Sequence, residues 1–214
     1  MAVHGLYAIA DIETLAKRGL SLREFAEGLR TAGVSLVQYR DKHGSPQQVL
    51  AGATLLREVF RDTECVLIMN DRVDLAVIAN FDGVHLGQED LSPNDARAVF
   101  KRSSNPGSPK LIGISTHTGD QVRLAEGSSA DYLAIGPVFA TGTKADVAAV
   151  VGLDGVRRAR SLTTKPLVAI GGITRANARS VVEAGADCVA VISGLLVEGE
   201  SVEKVARDFM AIFG

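Results

Sequence analysis

Eight short apolar runs punctuate the chain, and each is followed by a segment with helical spacing. The runs are Leu6–Ala10, Leu36–Arg40, Cys65–Asn70, Gly83–Gly87, Leu111–Thr116, Tyr132–Val138, Leu167–Gly171 and Cys188–Ser193. Short strands separated by helices do not pair as hairpins; they pair in parallel through helical crossovers. The first long helix shows the punctuation best. Ser21 and Glu24 have capping-box spacing, Leu22, Phe25, Leu29 and Ala32 share one face, and Gly33 closes the segment. Further helices are expected over 45–60, 73–80, from Ser92 or Asn94 onward, 119–126, 153–160, 174–184 and 201–212.

An open doubly wound sheet can use the same units. A closed barrel better explains why polar residues end so many strands, because it gathers all those ends on one rim. The expected fold is a single TIM (β/α)8 barrel spanning 1–214, with phosphate-binding loops at the C-terminal rim. No linker or composition break divides the chain. Hydrophobic residues make up 46% and aromatics 5%, with no Trp, so the core must be built from Val, Ile, Leu and Ala. That composition suits parallel strands buried on both faces. A net charge of −2 offers no general basic surface for nucleic acid. No apolar run has membrane-spanning length, and the N-terminus lacks a basic start followed by an apolar stretch. A cytoplasmic protein that binds neither nucleic acid nor membrane is the expectation. Cys65 and Cys188 have no partner spacing and read as buried, reduced thiols rather than zinc ligands.

Three loops after strand-like runs carry phosphate-handling chemistry. Gly171-Gly172-Ile173 and Ile192-Ser193-Gly194 can bring backbone N–H groups close to a phosphate, at the two strand ends where barrels favour it. Gly136-Pro137-Val138-Phe139-Ala140-Thr141-Gly142-Thr143-Lys144 adds hydroxyls and an amine suited to a diphosphate, in an order unlike a Walker loop. Gln38 and Arg40 alternate onto one side of strand two, with Lys42 just beyond it and Tyr39 facing away. They can hold a phosphate, or form ion pairs with Asp41 or Asp71. Asn70 and Asp71 end strand three. Asp71 can bind Mg2+, cap the following helix or pair with Arg72, and with Asp90 it can share a hard cation above neighbouring strands. Ser115 can donate to a ligand phosphate. His117 can be a base, a ligand contact or a locally satisfied loop residue, and His85 can be a hydrogen-bonded core histidine.

With these residues in place, the chain resembles the thiamine-phosphate synthase family along nearly its whole length. The likeness rests on Val37-Gln38-Tyr39-Arg40-Asp41-Lys42, Met69-Asn70-Asp71, Gly83–Asp90, Gly113-Ile114-Ser115, the Gly136–Lys144 stretch, Gly171-Gly172-Ile173 and Val191-Ile192-Ser193. The resemblance implies an Mg2+-dependent alkyl transferase. Such an enzyme joins 4-amino-5-hydroxymethyl-2-methylpyrimidine diphosphate to 4-methyl-5-(2-phosphoethyl)thiazole, giving thiamine phosphate and diphosphate. It implies Gln38, Arg40, Lys42 and Asn70 on the pyrimidine-diphosphate side, and Asp71 and Asp90 as Mg2+ ligands. It also implies Ser115 and Lys144 on the diphosphate. Thr141, Thr143, Gly172, Ile192 and Ser193 fall on the thiazole phosphate. Ala140 stands where family members often carry Pro, which implies a less constrained loop with no donor removed. A homodimer is compatible with the family, although the outer helices carry no interface signature of their own. Competing expectations are a thiazole tautomerase, a sugar-phosphate or indole-pathway isomerase on the same barrel, and a non-enzymatic phosphate-metabolite binding protein.

Overall fold

The computed structural model describes residues 3–103, 111–141 and 149–214. Eight parallel strands close into a barrel in chain order, with the last paired to the first. They are β1 (Gly5–Asp11), β2 (Leu36–Arg40), β3 (Val66–Asn70), β4 (Gly83–Leu86), β5 (Leu111–Thr116), β6 (Tyr132–Ile135), β7 (Leu167–Ile170) and β8 (Cys188–Val191). The helices between and after them are α1 (Ile12–Lys17), α2 (Leu22–Ala32), α3 (Pro46–Val59), α4 (Val73–Ile78), α5 (Pro93–Arg102), α6 (Gly119–Glu126), α7 (Gly152–Leu162), α8 (Ala178–Glu183) and α9 (Val202–Met210). A short 3-10 turn, Ser193–Leu195, follows β8. Among the described residues, no helix is long and apolar enough to cross a membrane.

Strand alternation divides the buried residues into two cores. One lies between strands and helices, and includes Ala8, Val37, Leu67, Val84, Ile112, Leu133, Ala169 and Val189. The other fills the barrel interior with Tyr7, Ile9, Leu36, Ile68, Tyr132, Ala134, Val168, Cys188 and Ala190. The same alternation turns Gln38 and Arg40 inward, while Tyr39 joins the outer core. Gly113 makes room for one interior aromatic. It pairs in register with Tyr132, and a Cβ there would lie 2.1 Å from that ring.

The capping signals act as the sequence predicts. Ser21 accepts from the Glu24 N–H while the Glu24 carboxylate accepts from the Ser21 N–H, and Gly33 closes α2 at φ 83°. Ser92, not Asn94, caps α5. Several elements differ from expectation. Helix α1 is unanticipated; it has six residues and one buried apolar side chain, Leu15, too few to show a period, and Asp11 caps it through the Thr14 N–H. Strand β6 stops at Ile135 rather than Val138, because Pro137 has no N–H to continue the ladder. Strand β8 stops at Val191 rather than Ser193, where the 3-10 turn takes over. The helix expected from Thr174 begins only at Ala178. Residues 174–177 form a turn pinned by Asn177, whose side chain accepts from the Thr174 N–H at 2.8 Å and donates to the Gly172 carbonyl at 3.0 Å.

Candidate active site

Two adjoining cavities open at the C-terminal ends of the strands. The smaller, about 80 Å³, is lined by Gln38, Arg40, Lys42, Asn70, Asp71, Asp90 and Ser115, together with interior barrel residues. The larger, about 770 Å³, is lined by Ser115, His117, Thr141, Gly171, Gly172, Ile192, Ser193 and Gly194. Ser115 and Ile192 border both. The strand ends therefore gather the candidate residues into two connected halves, as a barrel rim does. Thr143, Lys144 and Gly142 lie outside the described residues.

In the smaller half, β2 supplies Arg40 and the loop beyond it supplies Lys42. Arg40 is buried and forms an ion pair with buried Asp11, and its Nε is a buried donor with no protein acceptor among the described residues. Asp11, at the end of β1, accepts from the Thr14 N–H at 2.9 Å and the Thr14 hydroxyl at 2.5 Å. Lys42 lies 3.2 Å from Asp71. Asp41 instead accepts from the backbone N–H of His43 and Gly44. Arg72 pairs with Asp74, not Asp71, and α4 has no side-chain cap. Two of the three sequence readings of Asp71 are thereby removed.

Asp71 holds φ 59°, a left-handed conformation that Asp tolerates better than most side chains, and its N–H donates to the His85 carbonyl at 2.8 Å. Asp90 accepts from the Gly87 N–H at 2.7 Å. Burial pushes the Asp71 carboxyl above its ordinary range. The charge of Asp90 pushes it further, and the Lys42 ammonium opposes both. A hard cation beside the two carboxylates would remove that repulsion. Among the described residues, no group of three or more His, Cys, Asp or Glu side chains is arranged to hold a metal. A two-carboxylate set suits Mg2+, which takes few protein ligands and completes its shell with water and phosphate oxygens.

In the larger half, glycines let neighbouring backbone segments pack closely at the cavity wall. Gly172 has φ 63°, and a Cβ there would sit 2.6 Å from the Ala140 carbonyl. A Cβ on Gly194 would sit 2.6 Å from the Ile173 carbonyl. His117 is held by its own surroundings: Nδ1 is 2.6 Å from the Gly136 carbonyl, and its N–H donates to Gln121 at 2.7 Å. Two arginines line this half. Arg175 is bound to Glu200 and Asp208, each at 2.5 Å, whereas Arg18 has no ion-pair partner among the described residues.

The chain matches the family described as thiamine monophosphate synthase over residues 6–195. It belongs to that family. It is 49% identical to the thiamine-phosphate synthase of Koribacter versatilis, across 97% of this chain and 94% of that protein. It is 42% identical to the thiamine-phosphate synthase of Chloroflexus aurantiacus, across 97% and 91%. The solved thiamine phosphate pyrophosphorylase of Pyrococcus furiosus superposes with a TM-score of 0.82 at 32% identity, covering 98% of this chain and 95% of that one. Family membership makes the chain a transferase of thiamine biosynthesis.

Beside the residues that carry the thiamine-phosphate synthase likeness, the structure brings in others the sequence reading missed. Asp11 is the partner of Arg40, and Arg18 and Arg175 line the larger half. Tyr7 and Tyr132 place hydroxyls 3.0 Å apart inside the barrel. A buried Tyr hydroxyl needs a partner, and that requirement was the available signal. His4 packs edge-on against Phe213, and His43 is exposed; neither enters the site. Both cysteines are free; Cys188 is buried as expected and Cys65 only half-buried, and desolvation pushes the Cys65 thiol up to about 12 and Cys188 higher still, away from nucleophilic chemistry.

Proposed function

We propose that this chain transfers the 4-amino-2-methylpyrimidin-5-ylmethyl group from its diphosphate to 4-methyl-5-(2-phosphoethyl)thiazole, releasing thiamine phosphate and diphosphate. The observation that carries the reading is the pair of adjoining cavities. One is lined by cations and carboxylates, the other by glycine loops, and Ser115 and Ile192 lie on their shared border. The first matches a diphosphate and the second a compact phosphate on an apolar ring.

The chemistry needs departure of a charged leaving group more than a base. The aminopyrimidine donates electron density as diphosphate leaves the exocyclic methylene, and the thiazole nitrogen attacks the resulting pyrimidinylmethyl cation. Arg40, whose buried Nε has no acceptor among the described residues, and Lys42 stabilise charge growing on the leaving oxygens. Ser115 donates a hydrogen bond there, and Lys144 adds a further cation on the strength of the family likeness. Asp71 and Asp90 would hold Mg2+, which when bound would supply additional neutralisation of the diphosphate. Gln38 and Asn70 orient the pyrimidine. Thr141, Thr143, Gly172, Ile192 and Ser193 hold the thiazole phosphate so that its nitrogen faces the cation. No covalent enzyme intermediate is required, so Ser115 is not a nucleophile.

The test supplies each substrate alone and both together, with Mg2+ or a chelator. Thiamine phosphate should form only with both substrates and metal. Isomerisation of the thiazole without use of the pyrimidine diphosphate would replace this reading with a tautomerase. Asp71→Asn and Asp90→Asn should lose turnover at limiting Mg2+, and normal turnover in both would overturn the metal assignment.

A further inference from the structure

A hydrogen-bonded chain crosses the barrel interior beneath the two cavities. Gln38 Nε2 donates to the Tyr7 hydroxyl at 2.8 Å, and the Tyr7 and Tyr132 oxygens are 3.0 Å apart. The Tyr132 oxygen lies 3.1 Å from His85 Nδ1, and His85 Nε2 lies 2.9 Å from Ser115 Oγ. Tyr7, Tyr132, Gln38 and His85 are all buried. Burial raises both phenols far above their ordinary range, so each keeps a hydrogen to donate.

Counting hydrogens from the Gln38 Nε2 donor gives the chain a direction. Tyr7 accepts from the Gln38 amide, which leaves its own hydrogen for Tyr132. The Tyr132 hydrogen then points to His85 Nδ1, which must accept. A neutral imidazole that accepts at Nδ1 carries its hydrogen on Nε2, the atom facing Ser115. Ser115 Oγ accepts that hydrogen, and its own hydroxyl hydrogen remains for the cavities it borders. The opposite direction would spend the Ser115 hydrogen on His85 and present only lone pairs to an anionic ligand.

We propose that Tyr7, Tyr132 and His85 are positioning residues that lock His85 in its Nε2–H tautomer and thereby hold Ser115 as a hydrogen-bond donor to the departing diphosphate. This rests on the synthase reading for the identity of the anion; the tautomer itself does not. The three residues act through Ser115 and need not touch the reacting atoms.

Histidine tautomers are assigned from hydrogen-bond networks rather than seen directly, so the decisive readout is spectroscopic. In protein with 15N-labelled histidine, two-bond proton–nitrogen correlations should show His85 protonated on Nε2, with the resonance assigned by His85→Gln. Protonation on Nδ1 would overturn the proposal, with or without turnover. Absence of thiamine phosphate in the wild-type assay would instead count against the synthase reading. Kinetics supply the second arm. Tyr132→Phe should lower kcat about tenfold, with KM for the thiazole phosphate within about twofold. Adding Ser115→Ala to Tyr132→Phe should cost less than about threefold more, because the single variants disable the same donor. Penalties that simply multiply would show Tyr132 acting independently of Ser115 and overturn the proposal. If Tyr132→Phe does not fold, Tyr7→Phe removes the preceding donor and carries the same test with the same expected outcomes.

Discussion

Replacing Arg40 with methionine should destabilise the fold by an amount the structure sets. Arg40 is 9% exposed and its partner Asp11 only 2%. Asp11 divides its carboxylate between two duties: Oδ1 accepts from the Thr14 N–H and hydroxyl, capping α1, and Oδ2 accepts from Arg40. Arg40→Met retains much of the side-chain length and strands Oδ2 as a charged, desolvated oxygen. Removing one partner of a buried ion pair costs about 3–5 kcal/mol. The two Thr14 bonds stay in place, which puts the expectation at the lower end, about 3 kcal/mol. For a chain of this size each kcal/mol moves the midpoint about 2–4 °C, so Tm should fall about 6–12 °C. The assay is thermal unfolding at neutral pH followed by circular dichroism, with urea unfolding as a check that the slope is unchanged. Adding Asp11→Asn should recover most of the loss, because asparagine still caps α1 and leaves no charge behind. A single variant within about 2 °C of wild type, or a double variant no better than the single, would refute the reasoning.

Other outcomes follow from the same geometry. A carboxyl raised in the fold, as Asp71 is by burial and then by Asp90, favours folding only while protonated. That contribution is full below the ordinary value of 3.8 and is lost as pH rises through the higher folded value. Metal-free Asp71→Asn should therefore have a higher Tm than wild type at neutral pH, with the gap closing as pH falls towards 3.8. Added Mg2+ should stabilise wild type and leave the variant unmoved; an equal response in both would contradict the ligand assignment. Gly172→Ala places a side chain at φ 63° and 2.6 Å from the Ala140 carbonyl. The left-handed backbone and the overpacking together should cost about 2–5 kcal/mol in urea unfolding, and a loss under about 1 kcal/mol would show the loop yields freely. Arg18→Ala removes a cation that lines the larger cavity and has no ion-pair partner among the described residues. It should raise KM for the thiazole phosphate roughly fivefold at unchanged kcat, equivalent to about 1 kcal/mol. An unchanged KM would place Arg18 outside the phosphate's field.

The barrel was legible because eight short apolar runs alternate with helical segments and polar residues end many of those runs, as one rim would gather them. Gln38 and Arg40 follow from alternation along β2, and Ser115 from its place near the end of β5. Their partners do not. Asp11 lies 29 residues from Arg40 and meets it only once β1 and β2 pair in register. Tyr7 and Tyr132 lie 125 residues apart and read as ordinary core aromatics until barrel closure brings their hydroxyls together. Arg18 belongs to the cap of α1, a helix too short to announce itself by periodicity. Pro137 and Asn177 shortened β6 and α8 by local backbone chemistry: a missing donor in one case, a side chain competing for main-chain bonds in the other.

The most direct test of the two-substrate site is a product count on the wild-type chain. With both substrates and Mg2+ present, thiamine phosphate and diphosphate should appear in equal amounts throughout the time course, and neither should form under chelation. Diphosphate release without matching thiamine phosphate, or no product from folded protein, would contradict the account.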